Sequence, residues 1–363
     1  MPLPFDKLDP RDQEKVQAEL RAILREPDRR VAERRRRALA RTLRPDYPDV
    51  ADWVEDDAPA TRTEQDHPVL AGLPINKQKV DALRDRTVLI KYGGNAMVDE
   101  ALKQEVIADI CILKSLGAVP VVVHGGGPAI SKLLGEVGLE SRFIAGHRKT
   151  DRRVMGYVEM ALSGKVNSEI VKLIGFHGFK SVGISGKDGG LVTARKRIHR
   201  VREGGKVRRS DLGQVGDVES IQPDLVHTLA EGGYIPVIAP IGVGDDLEDY
   251  NINADMFAGH MAAALDAAAM VALTDVDGLL LDKDDPATLI PEITAHAAHE
   301  ESGRIIQGGM IPKVEACLAA LEGGVPRAHI VNGMTPHSLL TVLLTDRKCG
   351  TTITGGMTDT QEA

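Results

Sequence analysis

From Thr87 onward the chain repeats one unit, a short aliphatic run followed by a stretch with helical spacing of its apolar residues. The runs are Val88 to Lys91, Val119 to His124, Ser181 to Ile184, Ile235 to Pro240, Met270 to Thr274 and His329 to Val331. Strands that are apolar on both faces have to be covered on both sides, and helical crossovers make them parallel. The expected fold class is therefore α/β, a three-layer α/β/α sandwich with a mainly parallel central sheet. Between Leu191 and Arg209 two basic, β-like segments flank Glu203-Gly204-Gly205, which reads as a β-hairpin. Aromatic residues make up 3% of the chain against 37 glycines, so the core is aliphatic and the loops demand unusual backbone freedom.

Residues 1–70 differ in kind and read as a helical extension and linker, leaving 71–363 as the main domain. Asp9-Pro10 supplies a cap and a first-turn proline, and Val16, Leu20, Ile23 and Leu24 share a helical face. A second amphipathic helix is expected from Pro27, carrying the run Arg34 to Arg37, before an acidic, proline-containing linker from Pro45 to Pro68. Four aliphatic side chains at about 1.5–3 kcal/mol each do not offset the ordering of some thirty residues at about 1–2 kcal/mol per residue. That apolar face is expected to pack on the main domain, another subunit or another protein.

Net charge is −8 and the acidic excess lies beyond the first fifty residues, which argues against nucleic acid as a partner. No apolar stretch reaches membrane length and no secretion signal opens the sequence. Three scattered cysteines, Cys111, Cys317 and Cys349, suit a reducing, cytoplasmic compartment.

Parallel sheets gather ligands beyond the carboxyl ends of their strands, so the residues after each run carry the functional question. Lys91-Tyr92-Gly93-Gly94-Asn95 joins a point charge to two glycines whose N–H groups can face an anion. His124-Gly125-Gly126-Gly127-Pro128 opens a helix with three glycines, an anion cradle at the positive end of a dipole; His124 itself reads as structural rather than catalytic. In Tyr250-Asn251-Ile252-Asn253-Ala254-Asp255, an extended backbone would put two amides and one acid on one side, whereas capping of a following helix accounts for one of them. Leu273-Thr274-Asp275-Val276-Asp277-Gly278 suits hydroxyl groups such as a ribose, or is an ordinary Asp-Gly turn. Lys313, after Gly308-Gly309-Met310-Ile311-Pro312, falls in the first turn of a helix, where a cation is unfavourable unless an anion shares the site. A P-loop is absent, the dinucleotide fingerprint fails at Ile130, and Gly183-Ile184-Ser185-Gly186-Lys187 misses the nucleophile elbow. Phosphate recognition without a P-loop is left.

In this order the five loops, with Gly183 to Gly189, resemble the amino acid kinase family, nearest its members that phosphorylate N-acetylglutamate, from about Leu73 to Ile353. The resemblance implies transfer of phosphoryl from ATP, with Mg2+, to the side-chain carboxylate of N-acetyl-L-glutamate, the second step of arginine synthesis. It divides the main domain into a substrate half, about 85–240, and a nucleotide half, about 241–355. Lys91 and Lys313 become transition-state stabilisers, Asp255 their orienting acid, and Gly94 and Gly126 the donors to phosphoryl oxygens. Gly126, Gly127, Arg148, Asn251 and Asn253 would bind the acyl-amino acid, and Lys187, Asp188, Thr274, Asp275, Val276 and Gly278 would line the nucleotide. No side-chain metal site is implied, and a homo-oligomer, dimer or hexamer, is expected. Departures fall at His147 and Lys149, on either side of the substrate arginine, and at Val342 and Lys348-Cys349-Gly350, where arginine-inhibited members have a glutamate and Gly-Ile-Gly. Two other readings stay open: a kinase of a related acyl-amino acid or carbamate, and a catalytically silent amino-acid or nucleotide sensor.

Overall fold

A computed structural model describes residues 8–24, 29–48, 50–51, 54, 68–144, 146–203, 206–282 and 285–355. Its helices are α1 (Pro10–Leu24), α2 (Arg29–Leu43), α3 (Pro68–Ala71), α4 (Lys77–Leu83), α5 (Glu100–Ser115), α6 (Gly127–Glu136), α7 (Arg152–Glu159), α8 (Ser168–Phe176), α9 (Asp224–Glu231), α10 (Ala254–Ala264), α11 (Ala295–Glu300), α12 (Ile311–Glu322) and α13 (Ser338–Leu344). A π-helical segment, Met160–Asn167, joins α7 to α8.

Eight strands form the central sheet in the order β14-β16-β15-β11-β1-β2-β8-β5. The six expected runs are its middle and one flank: β1 (Thr87–Tyr92), β2 (Val119–His124), β5 (Ser181–Ser185), β8 (Ile235–Ala239), β11 (Ala269–Thr274) and β15 (Arg327–Asn332), every neighbouring pair parallel. The other flank is β16 (Thr351–Thr354), antiparallel to β15, and β14 (Glu292–Thr294) beyond it. Successive residues of β1 enter opposite cores, as the pleat requires. Val88, Ile90 and Tyr92 pack with α5, α8 and α13, while Leu89 packs with α10 and α12.

The expected hairpin is longer than its sequence signal. Strands β6 (Val192–Glu203) and β7 (Lys206–Ile221) pair antiparallel and close a small barrel with β9 (Ile241–Val243) and β10 (Asp249–Ile252). Gly204 and Gly205, the expected turn, lie outside the described residues. A two-stranded flap, β3 (Phe143–Ile144) with β4 (His147–Arg148), stands beside α6, and β12 (Leu279–Leu280) pairs with β13 (Leu289–Ile290).

Both extension helices form, although Pro27 lies outside the described residues. The Tyr47 hydroxyl donates to Asp12 at 3.1 Å and accepts from the Asp9 N–H at 3.3 Å, tying the start of α1 to the segment after α2. Leu8, Val16, Ala40, Leu43, Val50, Ala51 and Val54 make one buried cluster, against which Phe176 of α8 packs. Val16 of the expected apolar face is part of this cluster, which meets the main domain at Phe176; the side chains of Leu20, Ile23 and Leu24 lie outside the described residues. The expected linker from Pro45 is corrected at its start, because Val50, Ala51 and Val54 are core residues of the extension.

Candidate active site

Alternation along β1 decides where Lys91 goes. It follows Leu89 onto the face covered by α10 and α12, at the carboxyl end of the strand. The chain does not stay extended through Asp255, as the alternating reading of Asn251, Asn253 and Asp255 required. Instead Asn253 caps α10, its Oδ1 accepting from the Asp255 and Met256 N–H groups at 2.9 and 3.1 Å. Asp255 then sits in the first helical turn, where Lys91 Nζ lies 2.8 Å from Oδ1 and Lys313 Nζ, in the first turn of α12, 3.6 Å from Oδ2. The Lys91 contact is the closer of the two ion pairs. Burial by itself pushes the Asp255 carboxyl up, yet the two ammonium groups hold it below its ordinary value. One carboxylate between two lysines leaves a net positive charge in a nearly dry place.

Two glycine loops face this charge. Tyr92 and His124 are partners across β1 and β2, and the Gly125 N–H donates to the Tyr92 carbonyl at 2.7 Å, drawing the loops together. The Tyr92 hydroxyl donates to the Ala96 carbonyl at 2.8 Å and fixes the turn Gly94–Met97. Gly94 has φ +74, a left-handed conformation that glycine adopts without strain. At Gly126 the constraint is contact: a Cβ there would collide with Leu162 of the π segment. Among the described residues, the N–H groups of Gly94, Gly126 and Gly127 have no acceptor. Free donors above a net cation make an anion receptor.

On the α6 side, Arg148 is buried and its guanidinium donates to Ser141 Oγ, to Ser131 Oγ at 3.0 Å and to the Gly127 carbonyl at 3.1 Å. Its charge also lies over the Phe143 ring, 4.7 Å from the centroid, and burial holds its pKa below the ordinary value. Asn251 Nδ2 donates to Thr150 Oγ1 at 3.4 Å, beside the Arg148 strand. Sequence reasoning missed Ser131, Ser141 and Thr150, whose only signal is a hydroxyl at a loop or helix position. His147 is half-buried and Lys149 exposed.

Thr274, Asp275, Val276 and Gly278 form a turn at the end of β11, pinned by the Gly333 N–H to the Thr274 carbonyl at 2.7 Å and by Asn332 to Asp277 at 2.8 Å. Asp275 backs onto Gly94, so this turn borders the phosphate loops. Lys187 and Asp188 are not part of that border. They follow β5, four strands from β11 in the sheet order, or about 19 Å at the usual inter-strand spacing. Lys187 is also committed elsewhere, its Nζ 2.7 Å from Glu159 and 3.2 Å from Asp249. Asp188 closes its own loop, accepting from the Ser185 N–H and hydroxyl at 2.6 and 2.9 Å. Both side chains are thus engaged by neighbours of their own, away from that turn.

No group of three His, Cys, Asp or Glu side chains among the described residues could hold a metal ion. No described helix is long and apolar enough to cross a membrane.

Residues 86–332 match the amino acid kinase family. Over 271 residues the chain is 54% identical to the acetylglutamate kinase of Heliobacterium modesticaldum, covering 74% of this chain and 92% of that one. To the acetylglutamate kinase of Moorella thermoacetica it is 49% identical over 273 residues, covering 75% and 92%. Among solved structures, the N-acetylglutamate synthase of Neisseria gonorrhoeae, complexed with coenzyme A and N-acetyl-glutamate, aligns with a TM-score of 0.63 at 24% identity over 76% of this chain. This chain spans 61% of the synthase, and the likeness is one of fold.

Proposed function

The chain belongs to the amino acid kinase family, and from that membership we propose that it transfers the γ-phosphoryl group of ATP to the side-chain carboxylate of N-acetyl-L-glutamate. The observation that carries this reading is Asp255 held between Lys91 and Lys313 beneath two glycine loops with free N–H groups.

The chemistry follows from the charges. A carboxylate oxygen of the acceptor attacks the γ-phosphorus, a new P–O bond forms, the bond to the β–γ bridging oxygen breaks, and that oxygen leaves on ADP. The nucleophile is already an anion, so no general base is required. What must be overcome is repulsion between a carboxylate and a polyphosphate. Lys91 and Lys313 supply the opposing charge, and the Gly94 and Gly126 N–H groups hold the equatorial oxygens as they gain charge. Mg2+ bound to the nucleotide would supply further neutralisation of the polyphosphate.

Arg148 takes the α-carboxylate of the acceptor, which exchanges with the serine hydroxyls now on the guanidinium. Asn251, the Gly127 N–H and the Asn253 amide nitrogen are the remaining acceptor-binding groups; the Asn253 oxygen is occupied by its cap. Thr274, Asp275, Val276 and Gly278 border the nucleotide. Acceptor binding then falls to the half about 85–240 and nucleotide binding to the half about 241–355, with Asp255 and the asparagines reaching across. We place the reaction in the cytoplasm, as the second step of arginine synthesis.

A coupled assay of ADP release over N-acetylglutamate, glutamate, N-acetylaspartate and carbamate tests the assignment. N-acetylglutamate should be preferred by kcat/KM. Preference for another acceptor would mean that His147 and Lys149 at the mouth have changed the substrate, and ADP release with none of them would remove the reading.

A further inference from the structure

We infer that His124 is a positioning residue for the transfer, holding the Gly125–Gly126 peptide so that the Gly126 N–H faces the phosphoryl group; this rests on the reaction proposed above. His124 is fully buried at the end of β2, and both ring nitrogens are used. Nε2 lies 3.1 Å from Asn167 Nδ2, and Nδ1 lies 2.8 Å from the Gly125 carbonyl oxygen.

The direction of each bond can be derived. Asn167 Nδ2 also reaches the Val237 and Ile184 carbonyls at 2.9 and 3.3 Å, so it is the amide nitrogen, a donor that cannot accept, its two hydrogens shared among three acceptors. Nε2 therefore accepts, the proton of the neutral imidazole is on Nδ1, and Nδ1 donates to the Gly125 carbonyl. Burial pushes the His124 pKa down to about 4, with the Gly125 contact opposing, so the ring keeps one proton at neutral pH.

That carbonyl belongs to the same peptide plane as the Gly126 N–H. In a trans peptide the two point in opposite directions, and no cis peptide occurs in the described chain. Pulling the carbonyl toward the imidazole turns the N–H away from it, to where no protein acceptor waits. The far end of the relay is equally fixed. Asn167 closes the π segment Met160–Asn167, which also supplies Leu162 and Val166 against Gly126. A π turn inside a helix is a costly irregularity that recurs at functional sites. Here one such segment sets both the packing of Gly126 and, through Asn167, the orientation of its peptide.

Paired amide substitutions separate positioning from simple core packing. Asn carries its amide at the δ position of the ring, so His124→Asn keeps a donor to the Gly125 carbonyl and gives up Asn167. Gln carries it at the ε position, so His124→Gln keeps Asn167 and gives up the carbonyl. Both are polar and both leave some space. With Mg-ATP and N-acetylglutamate, His124→Gln should lose roughly 10- to 100-fold in kcat, as a misaimed donor does, with both KM values within about twofold. His124→Asn should stay within about threefold of the parent in kcat. Thermal melts of the two variants should agree within a few degrees, whichever way each differs from the parent. Equal kcat losses, the reverse order, or a loss confined to KM would overturn the positioning role while the parent's turnover leaves the functional reading intact. A parent chain without turnover would remove both. If neither variant folds, deuterium exchange of the parent's Gly126 amide decides: exchange that slows when the non-transferable ATP analogue AMP-PNP and N-acetylglutamate are added supports an N–H aimed at the phosphoryl group, and unchanged exchange contradicts it.

Discussion

Two lysine–carboxylate triads stand beyond the carboxyl ends of strands in the same sheet, and they carry opposite net charge. In one, Asp255 lies between Lys91 and Lys313, and all three side chains are largely buried. In the other, Lys187 lies between Glu159 and Asp249, each partly open to solvent. The first has a positive charge left over and free N–H groups beside it; the second has already spent its lysine on two acids. Burial opposes the Lys187 charge, but Glu159 and Asp249 hold its ammonium above the ordinary value, so it remains charged and occupied. A lysine after a glycine is thus no evidence of phosphate binding until its neighbours are counted. The sign of the whole cluster decides.

The largest expected effect breaks the comparison on one side only. Lys91→Ala or Lys313→Ala should lower kcat by about 10² or more, the usual cost of removing a transition-state charge partner, whereas Lys187→Ala should stay within about threefold. Steady-state ADP release measures all three, and a loss at Lys187 comparable to that at Lys91 would erase the distinction. Next in size is Arg148→Lys, which keeps the charge and loses the planar fork. KM for N-acetylglutamate should rise by about tenfold and KM for ATP by less than about twofold; equal weakening of both would make the arginine structural.

A smaller effect is expected in stability. Lys187→Met leaves Glu159 facing Asp249, but both are about one-third exposed, so solvent screens their repulsion. A melting-temperature loss of a few degrees, shrinking with added salt, is the expected result in a calorimetric scan. The smallest effect concerns pH. Asp255 is held below its ordinary value, so its contribution to stability is complete above the unfolded carboxylate value and is lost only as pH falls through its own, lower one. Asp255 should therefore place no step in kcat between about pH 6 and pH 9, and a titration there that disappears in Asp255→Asn would contradict its assignment.

Much of this was legible in the sequence because the strands are continuous aliphatic runs and the phosphate loops are glycines at their ends. Lys91, Lys313 and Asp255 could be named because each abuts such a signal. The strands β14 and β16 were not visible, since Glu292–Thr294 and Thr351–Thr354 are short, threonine-bearing segments without an apolar run. The partners of Lys187 were hidden for a different reason: Glu159 and Asp249 reach it only through tertiary packing, and nothing near Gly186 announces them. The alternation from Asn251 to Asp255 broke at Asn253 because a cap and a strand residue share the same sequence pattern. Asn167 carries no local mark, and His124, though it opens the glycine motif, gives no sign of its partner, their relation being a contact between a π turn and a strand end.

Isotope transfer tests most directly whether the positive triad passes a phosphoryl group to a carboxylate. N-acetylglutamate labelled with 18O in both side-chain carboxylate oxygens would be incubated with the protein and Mg-ATP, and the product trapped with hydroxylamine. Attack of hydroxylamine on the acyl carbon releases phosphate with the former bridging oxygen. The predicted result is a hydroxamate of N-acetylglutamate and inorganic phosphate carrying one 18O per molecule. Release of ADP with unlabelled phosphate and no hydroxamate would mean that water is the acceptor, and would contradict the proposed reaction.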